Sequence, residues 1–367
     1  VKDTTPMKPR ARDLGLPFPG TPGPFNAITD VAGVEVGFCT LTDPARGLRT
    51  GVTAILPRGH APEAVPVRAG HYALNGNGEM TGTHWIDDAG HFLGPVLITN
   101  THAVGACHTA AVRWMIAQYP AHFRDGHAWA MPVVAETYDG VLNDITTLAV
   151  SPDHALSALA SAGPGAVAEG STGGGNGMIA YEFKGGTGTA SRRVPIGGQT
   201  YTIAALVQAN HGIRPWLTIL GRPVGQRMPE GRLRERETGS IIVVIATDAP
   251  LSQLSLRAVA KRAAIGIGRG GTPGGNNSGD IFLAFTTANP QGAAERAAPL
   301  WTVTELNPDC IDPLYLAAVE AVEEAVVNAL VAGEDVPTVK PAGHLCKGID
   351  TEALRAMFRE TAPLPAR

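Results

Sequence analysis

The chain alternates unbroken apolar stretches with Gly- and Pro-rich connections, and the apolar stretches come in two lengths. The short ones are GPVLITN (94–100), MPVVAETY (131–138), TIAALVQAN (202–210), SIIVVIAT (240–247) and DIFLAFTTAN (280–289). Rich in β-branched residues and without polar alternation, they read as strands covered on both faces. The long ones read as helices. VGACHTAAVRWMIAQY (104–119) places Val104, Cys107, Ala111, Met115 and Ile116 at helical spacing. A second helix is expected over about 251–265, with Asp248 as its cap and Pro250 near its first turn. A third runs over 312–333, with Pro313 at its start and Gly333 past its end. Its strongly polar positions, Glu320, Glu323, Glu324 and Asn328, share one narrow face, and the rest is apolar, so it is expected to be mostly buried. Strands and helices in layers predict an α/β or α+β sandwich, and no linker-like segment divides residues 1–367 into more than one domain.

Composition agrees with a packed core: 44% of the 367 residues are hydrophobic and 17% charged, which argues against disorder. The net charge of −4, with no basic block, makes nucleic acid an improbable partner, and no apolar run has the length of a membrane span. Cys39, Cys107, Cys310 and Cys346 are scattered, form no C-x-x-C and suit a reducing compartment. The first residues, VKDTTPMKPRARDLG, lack the apolar stretch of a signal peptide, so a cytoplasmic location is expected, or a periplasmic one if a signal has been trimmed.

Several familiar chemistries find no support. The Gly-rich stretches GSTGGGNGM (170–178) and FKGGTGTASR (183–192) match no phosphate-binding pattern and read as tight turns and close backbone approaches. His102 and His108 are six apart, a poor helical spacing for two metal ligands, and Asp87 and Asp88 lie in no recognisable motif, so no metal and no cofactor is expected. A Ser–His–Asp triad has no G-x-S-x-G elbow.

A serine without an evident histidine can still be activated by an α-amine, provided that cleavage makes it an N-terminal residue. Such an amine has a pKa of about 7.7–8.0, suited to general-base work. Gly239–Ser240 fits: a charged loop, GRLRERE, precedes it and could swing clear. Glycine allows unusual backbone geometry, and a buried strand follows to hold the new terminus. The dipeptide alone also fits an ordinary loop-to-strand junction, and Gly170–Ser171 repeats it without a following strand. A second cluster sharpens the choice. In GTPGGNNSGDIFLAF (271–285), Ser278 and Asp280 stand two apart as a strand begins, where period-two geometry turns both to one face. They could position an amine, or simply cap a turn.

These blocks, with TTPMKPRARDLGLPF, AITDVAGVEVGF, TGVTAILP (50–57), NGNGEMTGTHWIDDAG, GPVLITNTHAVG, MPVVAETYDG, EFKGGTGTASR, LVQANHG, GSIIVVIATDAPL and GRGGTPGGNNSGDIFLAFTTAN, run nearly end to end in the same order as in one family. The chain resembles the self-cleaving serine aminopeptidases of the L-aminopeptidase/D-esterase and D-amidase (DmpA) family, to which the β-peptidyl aminopeptidases also belong. The resemblance implies a four-layer αββα sandwich like that of N-terminal-nucleophile hydrolases but with different connectivity. It implies cleavage into 1–239 and 240–367, and assembly into a homo-oligomer, a tetramer of the cleaved units. It implies that Ser240 is the nucleophile and its freed amine a base, that Ser278 and Asp280 orient that amine, that Asn210 contributes to the oxyanion hole, and that Tyr138 lines the site. Some relatives carry Glu at the position of Asp280.

Glu136, two residues before Tyr138 on the same strand, is added here as a partner for the substrate's ammonium. The expected substrates are small peptides, amides or esters with a free N-terminal amine. Acyl transfer of the ornithine acetyltransferase kind, or hydrolysis of synthetic amide oligomers, is the runner-up. Ser240 argues against it, because those relatives usually use threonine. A non-catalytic binding protein on the same scaffold is the reading if the chain never cleaves.

Overall fold

The computed structural model describes residues 8–292 and 296–359. Two sheets lie face to face. The first contains β1 (Glu35–Asp43), β2 (Leu48–Leu56), β5 (Val96–Asn100) and β6 (Val133–Thr137), in the order β1-β2-β5-β6. The second contains β3 (Val67–Ala73), β4 (His91–Phe92), β9 (Gly186–Ile196), β10 (Gln199–Asn210), β11 (Ser240–Thr247) and β12 (Asp280–Thr286). Its order is β4-β3-β12-β11-β10-β9, antiparallel except where β11 and β12 run parallel. A small hairpin, β7 (Ile179–Ala180) and β8 (Phe183–Lys184), leads into β9.

Strand β11 shows why its sequence is continuously apolar. Ile241, Val243 and Ile245 pack toward the helices Gln253–Arg269 and Asp312–Val331, while Ile242, Val244 and Ala246 pack toward the other sheet. Both faces are dry, so no polar alternation survives. Between the sheets, Ile55, Val96, Ile98, Val133 and Ala135 meet Leu206, Leu283 and Phe285. Outside the first sheet, Val52, Ala54, Leu97 and Val134 pack on the helices Val104–Gln118 and Pro152–Ala160. The layers are therefore helix, sheet, sheet, helix, the expected αββα sandwich.

The helix expected over 312–333 spans Asp312–Val331, and its polar face is not a solvent face. Glu324 is fully buried and takes 2.7 Å and 2.8 Å contacts from Arg192 and Arg12. Asn328 accepts the Ala11 N–H and donates to the Thr189 carbonyl. Glu320, Glu323, Glu324 and Asn328 each have a partner, which is what makes their burial tolerable. Two local expectations fail. Asp248 caps no helix: it accepts the Thr202 N–H at 2.7 Å, and Ser252 caps the helix that begins at Gln253. Ile116 faces solvent, because the buried stripe of its helix runs through Cys107, Ala110, Ala111 and Met115.

Candidate active site

Ser240 is the first residue of β11, and its cross-strand partner, the last residue of β10, is Asn210. Both side chains are buried. The Ser240 hydroxyl oxygen accepts the Gly279 N–H at 3.1 Å, from the turn that opens the parallel neighbour β12. Asn210 is gripped at both ends of its amide: Oδ1 accepts the Ile179 N–H at 2.8 Å, and Nδ2 donates to the Tyr138 carbonyl at 2.9 Å. A primary amide has two N–H donors, so one remains for a further acceptor. The main chain thus fixes that donor before any substrate arrives, the preorganisation that oxyanion stabilisation needs.

The expected Ser278–Asp280 pair is real, and the two residues hydrogen bond at 2.5 Å. Ser278 precedes β12 rather than lying in it, so a turn closing through the Gly275 carbonyl, not a shared strand face, brings them together. Asn75 braces the far side, donating to Asp280 Oδ2 at 3.2 Å and to the Gly275 carbonyl at 3.1 Å. Burial raises the Asp280 carboxyl to about 6; the nearby charge of Glu237 adds to the rise, while Ser278, Asn75 and the Ile241 N–H oppose it. That last contact puts Asp280 one residue from the Ser240 nitrogen.

Glu136 is buried on β6 and accepts the Glu79 N–H at 3.0 Å and the Thr101 hydroxyl. Burial raises its carboxyl above the usual range, against those two donors. Gly78 lies between it and the turn that holds Ser240: a side-chain carbon there would lie 3.3 Å from both Glu136 Oε1 and the Gly279 Cα. Tyr138 lies beyond the end of β6, so it shares no strand face with Glu136. The residue is 39% exposed, and its ring stands over Gly140. The structure thus gathers Ser240, Asn210, Ser278 and Asp280 tightly and leaves Glu136 and Tyr138 at the margin.

Gly239 plays a different part from the one its residue type suggests. Its φ is not left-handed. What it supplies is space: a Cβ there would lie 1.8 Å from the Asn210 carbonyl oxygen. Nor does the preceding loop hang free. Leu233 and Arg234 donate their N–H groups to buried Glu182, and Glu237 is itself buried.

Sequence reasoning missed Gly279, whose contribution is a main-chain N–H, and Asn75, which carries no pattern beyond the NGNG turn. It also missed Glu237, hidden at the end of a charged stretch.

A family model for peptidase family S58 matches residues 26–343. The L-aminopeptidase D-Ala-esterase/amidase of Ochrobactrum anthropi, described as a prototype of the serine aminopeptidases and a variant of the Ntn-hydrolase fold, superimposes with a TM-score of 0.92. It is 57% identical, over 96% of this chain and 99% of that one. A β-aminopeptidase from a Burkholderia species superimposes with a TM-score of 0.88 at 46% identity, over 97% and 100% of the two chains. The β-peptidyl aminopeptidase BapA of Sphingosinicella microcystinivorans is 47% identical, over 98% of this chain and 94% of that protein. Sequence, fold and the serine at the head of a central strand agree: the chain belongs to peptidase family S58 and is a serine aminopeptidase of the N-terminal-nucleophile type.

Proposed function

We propose that this aminopeptidase processes itself between Gly239 and Ser240, and then releases N-terminal residues from small peptides, amides and esters through an acyl-enzyme on Ser240. The observation that carries this reading is the placement of Ser240. It heads a buried strand, its oxygen is held by the Gly279 N–H, and the Asn210 amide stands directly across.

In maturation, the Ser240 oxygen attacks the Gly239 carbonyl carbon and the Gly239–Ser240 C–N bond breaks. The hydroxyl proton goes to the departing nitrogen, and water then cleaves the resulting ester. The product is a free amine on Ser240, which Ser278 and Asp280 are placed to orient. In turnover, that amine takes the proton of its own hydroxyl as Oγ attacks the substrate carbonyl, and gives it to the leaving amine or alcohol. The spare Asn210 N–H meets the oxyanion, and water deacylates the enzyme. Tyr138 stands at the open edge, where a substrate enters. Assembly of the cleaved units into a homo-oligomer is supported by Leu254, Ile265 and Leu316, large apolar residues left exposed on the outer helices.

Glu136 is the substrate's ammonium partner. An uncapped charge is what separates an aminopeptidase substrate from an amide in general, and removing it strands a buried acid without its counter-ion. L-Ala or Gly p-nitroanilides and D-Ala amides or esters should therefore be hydrolysed, and their N-acetyl forms not. Comparable kcat/KM on free and acetylated substrates would make the enzyme a general amidase and remove Glu136 from the site. Activity on β-residues is the second reading, supported by the likeness to the two β-aminopeptidases. A β-alanyl p-nitroanilide in the same assay measures it.

A further inference from the structure

The segment before the scissile bond looks, by composition, like a loose tether. The structure fastens it with two buried carboxyl groups. Glu182, fully buried in the hairpin between β7 and β8, accepts Leu233 N–H at 2.6 Å and Arg234 N–H at 2.7 Å through one oxygen. Its other oxygen takes the Arg214 N–H at 2.9 Å. The second fastening is closer to the chemistry. Glu237, three residues before Ser240, accepts the Gly212 N–H through Oε1 at 2.5 Å and the Gly275 N–H through Oε2 at 3.1 Å. The Thr272 hydroxyl approaches Oε1 at 3.4 Å.

The two main-chain donors are what give Glu237 meaning. Gly212 follows Asn210 by two residues, on the oxyanion side. Gly275 precedes Ser278 by three, on the side that receives the new amine. Gly275 also shares Asn75 with Asp280, so Glu237 is linked to Asp280 through one main-chain unit and one amide. A single side chain therefore ties both halves of the site to the segment just upstream of the bond to be cut.

We propose that Glu237 is a positioning residue for self-processing: it docks the departing segment so that the Gly239 carbonyl lies under the Ser240 oxygen. This inference rests on the proposed Gly239–Ser240 cleavage. Glu237 does not touch the reacting atoms. It acts through the Gly212 and Gly275 loops, and a backbone held within a fraction of an ångström is what converts a nearby hydroxyl into an attacking one. Once the bond is cut, Glu237 stays with Gly212 in the piece that ends at Gly239, and it no longer has to fix the Gly239 carbonyl against the Ser240 oxygen. Its effect should therefore fall more heavily on maturation than on turnover by cleaved enzyme. Asp280 carries a trace of the same closeness, since Glu237 is among the charges that hold its carboxyl high.

The test is to follow precursor disappearance in purified full-length chain carrying Glu237→Ala, beside wild type, and to measure kcat per cleaved molecule once cleavage has run on. The expected result is a folded precursor that persists at least tenfold longer than wild type, with a clearly smaller loss of kcat in the fraction that does cleave; a tenfold delay is about 1.4 kcal/mol of barrier. Glu237→Gln keeps the shape and one accepting oxygen, and should fall between the two. It also supplies the reading if the alanine variant does not fold. Wild-type processing rates in both variants, or equal losses of processing and of kcat per cleaved molecule, would overturn the inference and leave Glu237 a packing residue. A wild-type chain that never cleaves would instead overturn the self-processing reading on which it stands.

Discussion

The protein contains two stretches with the same dipeptide in opposite circumstances. Gly170–Ser171 and Gly239–Ser240 are indistinguishable as pairs of letters, yet the fold surrounds them differently. Gly170 is left-handed, with φ at 80°, and its carbonyl accepts from both Thr172 and Thr187. It belongs to an irregular loop that continues into the buried turn Gly173–Gly177. Gly239 has no left-handed φ and is chosen for lack of bulk against the Asn210 carbonyl. Ser240 then begins a strand buried along its whole length. A glycine kept for its backbone angle marks a turn. Gly239 is kept for space alone, beside a hydroxyl held at a strand head.

Substitutions at the two serines should break this comparison most sharply. Ser240→Ala removes the attacking oxygen and should abolish both processing and turnover, leaving a folded full-length chain. Ser171→Ala should leave both intact. The readouts are a denaturing gel and hydrolysis of a free-amine p-nitroanilide. Processing that survives in Ser240→Ala would move the nucleophile elsewhere.

The glycines should separate next, and in kind rather than in size. Gly239→Ala places a carbon 1.8 Å from the Asn210 carbonyl oxygen, so the Gly239–Ser240 bond and Asn210 must shift together, and processing should slow severely. Gly170→Ala forces a side chain into a left-handed backbone and to within 2.5 Å of the Ala332 carbonyl oxygen. It should cost about 1–3 kcal/mol of stability while processing continues. Thermal unfolding paired with the gel assay distinguishes them. Equal processing defects in the two variants would erase the distinction.

The last expected effect is electrostatic and appears only as a pH dependence. Asp280 holds its proton up to about 6 in the folded chain, against an ordinary value of 3.8. Between those limits the folded state binds more protons than the unfolded one, so this residue's contribution makes stability fall as pH rises through the window. The two-unit difference corresponds to about 3 kcal/mol. In the uncleaved Ser240→Ala background, adding Asp280→Asn should remove that fall. Its stability relative to Ser240→Ala alone should rise from about pH 4 to about pH 6 and then level off. Parallel pH profiles for the two variants would show that Asp280 is not titrating there.

What the sequence made legible follows the same division. The central strands β5, β10, β11 and β12 announce themselves because both of their faces are buried, and Ser240, Asn210 and Asp280 stand at their ends. Strands β1, β2 and β9 do not. In β9 the run GTGTASRRVPI carries Gly, Thr and two Arg, and Arg192 is buried only because Glu320 and Glu324 lie across from it, more than a hundred residues along the chain. No local pattern records such a partner. Likewise the Gly279 N–H is a property of a turn rather than of a side chain. Glu237 reads as one more charge in GRLRERETG until the fold shows its carboxyl bridging Gly212 and Gly275. Ser240, Asn210 and Asp280 were visible; the groups that hold them in place were not.

The central claim is that Ser240 becomes an N-terminus by cleavage of its own chain. Intact-mass analysis with N-terminal sequencing of purified wild-type protein, without added protease, tests it most directly. The account predicts two tightly associated pieces, one ending at Gly239 and one beginning Ser-Ile-Ile-Val-Val. A homogeneous full-length chain that still hydrolyses a free-amine substrate would contradict it.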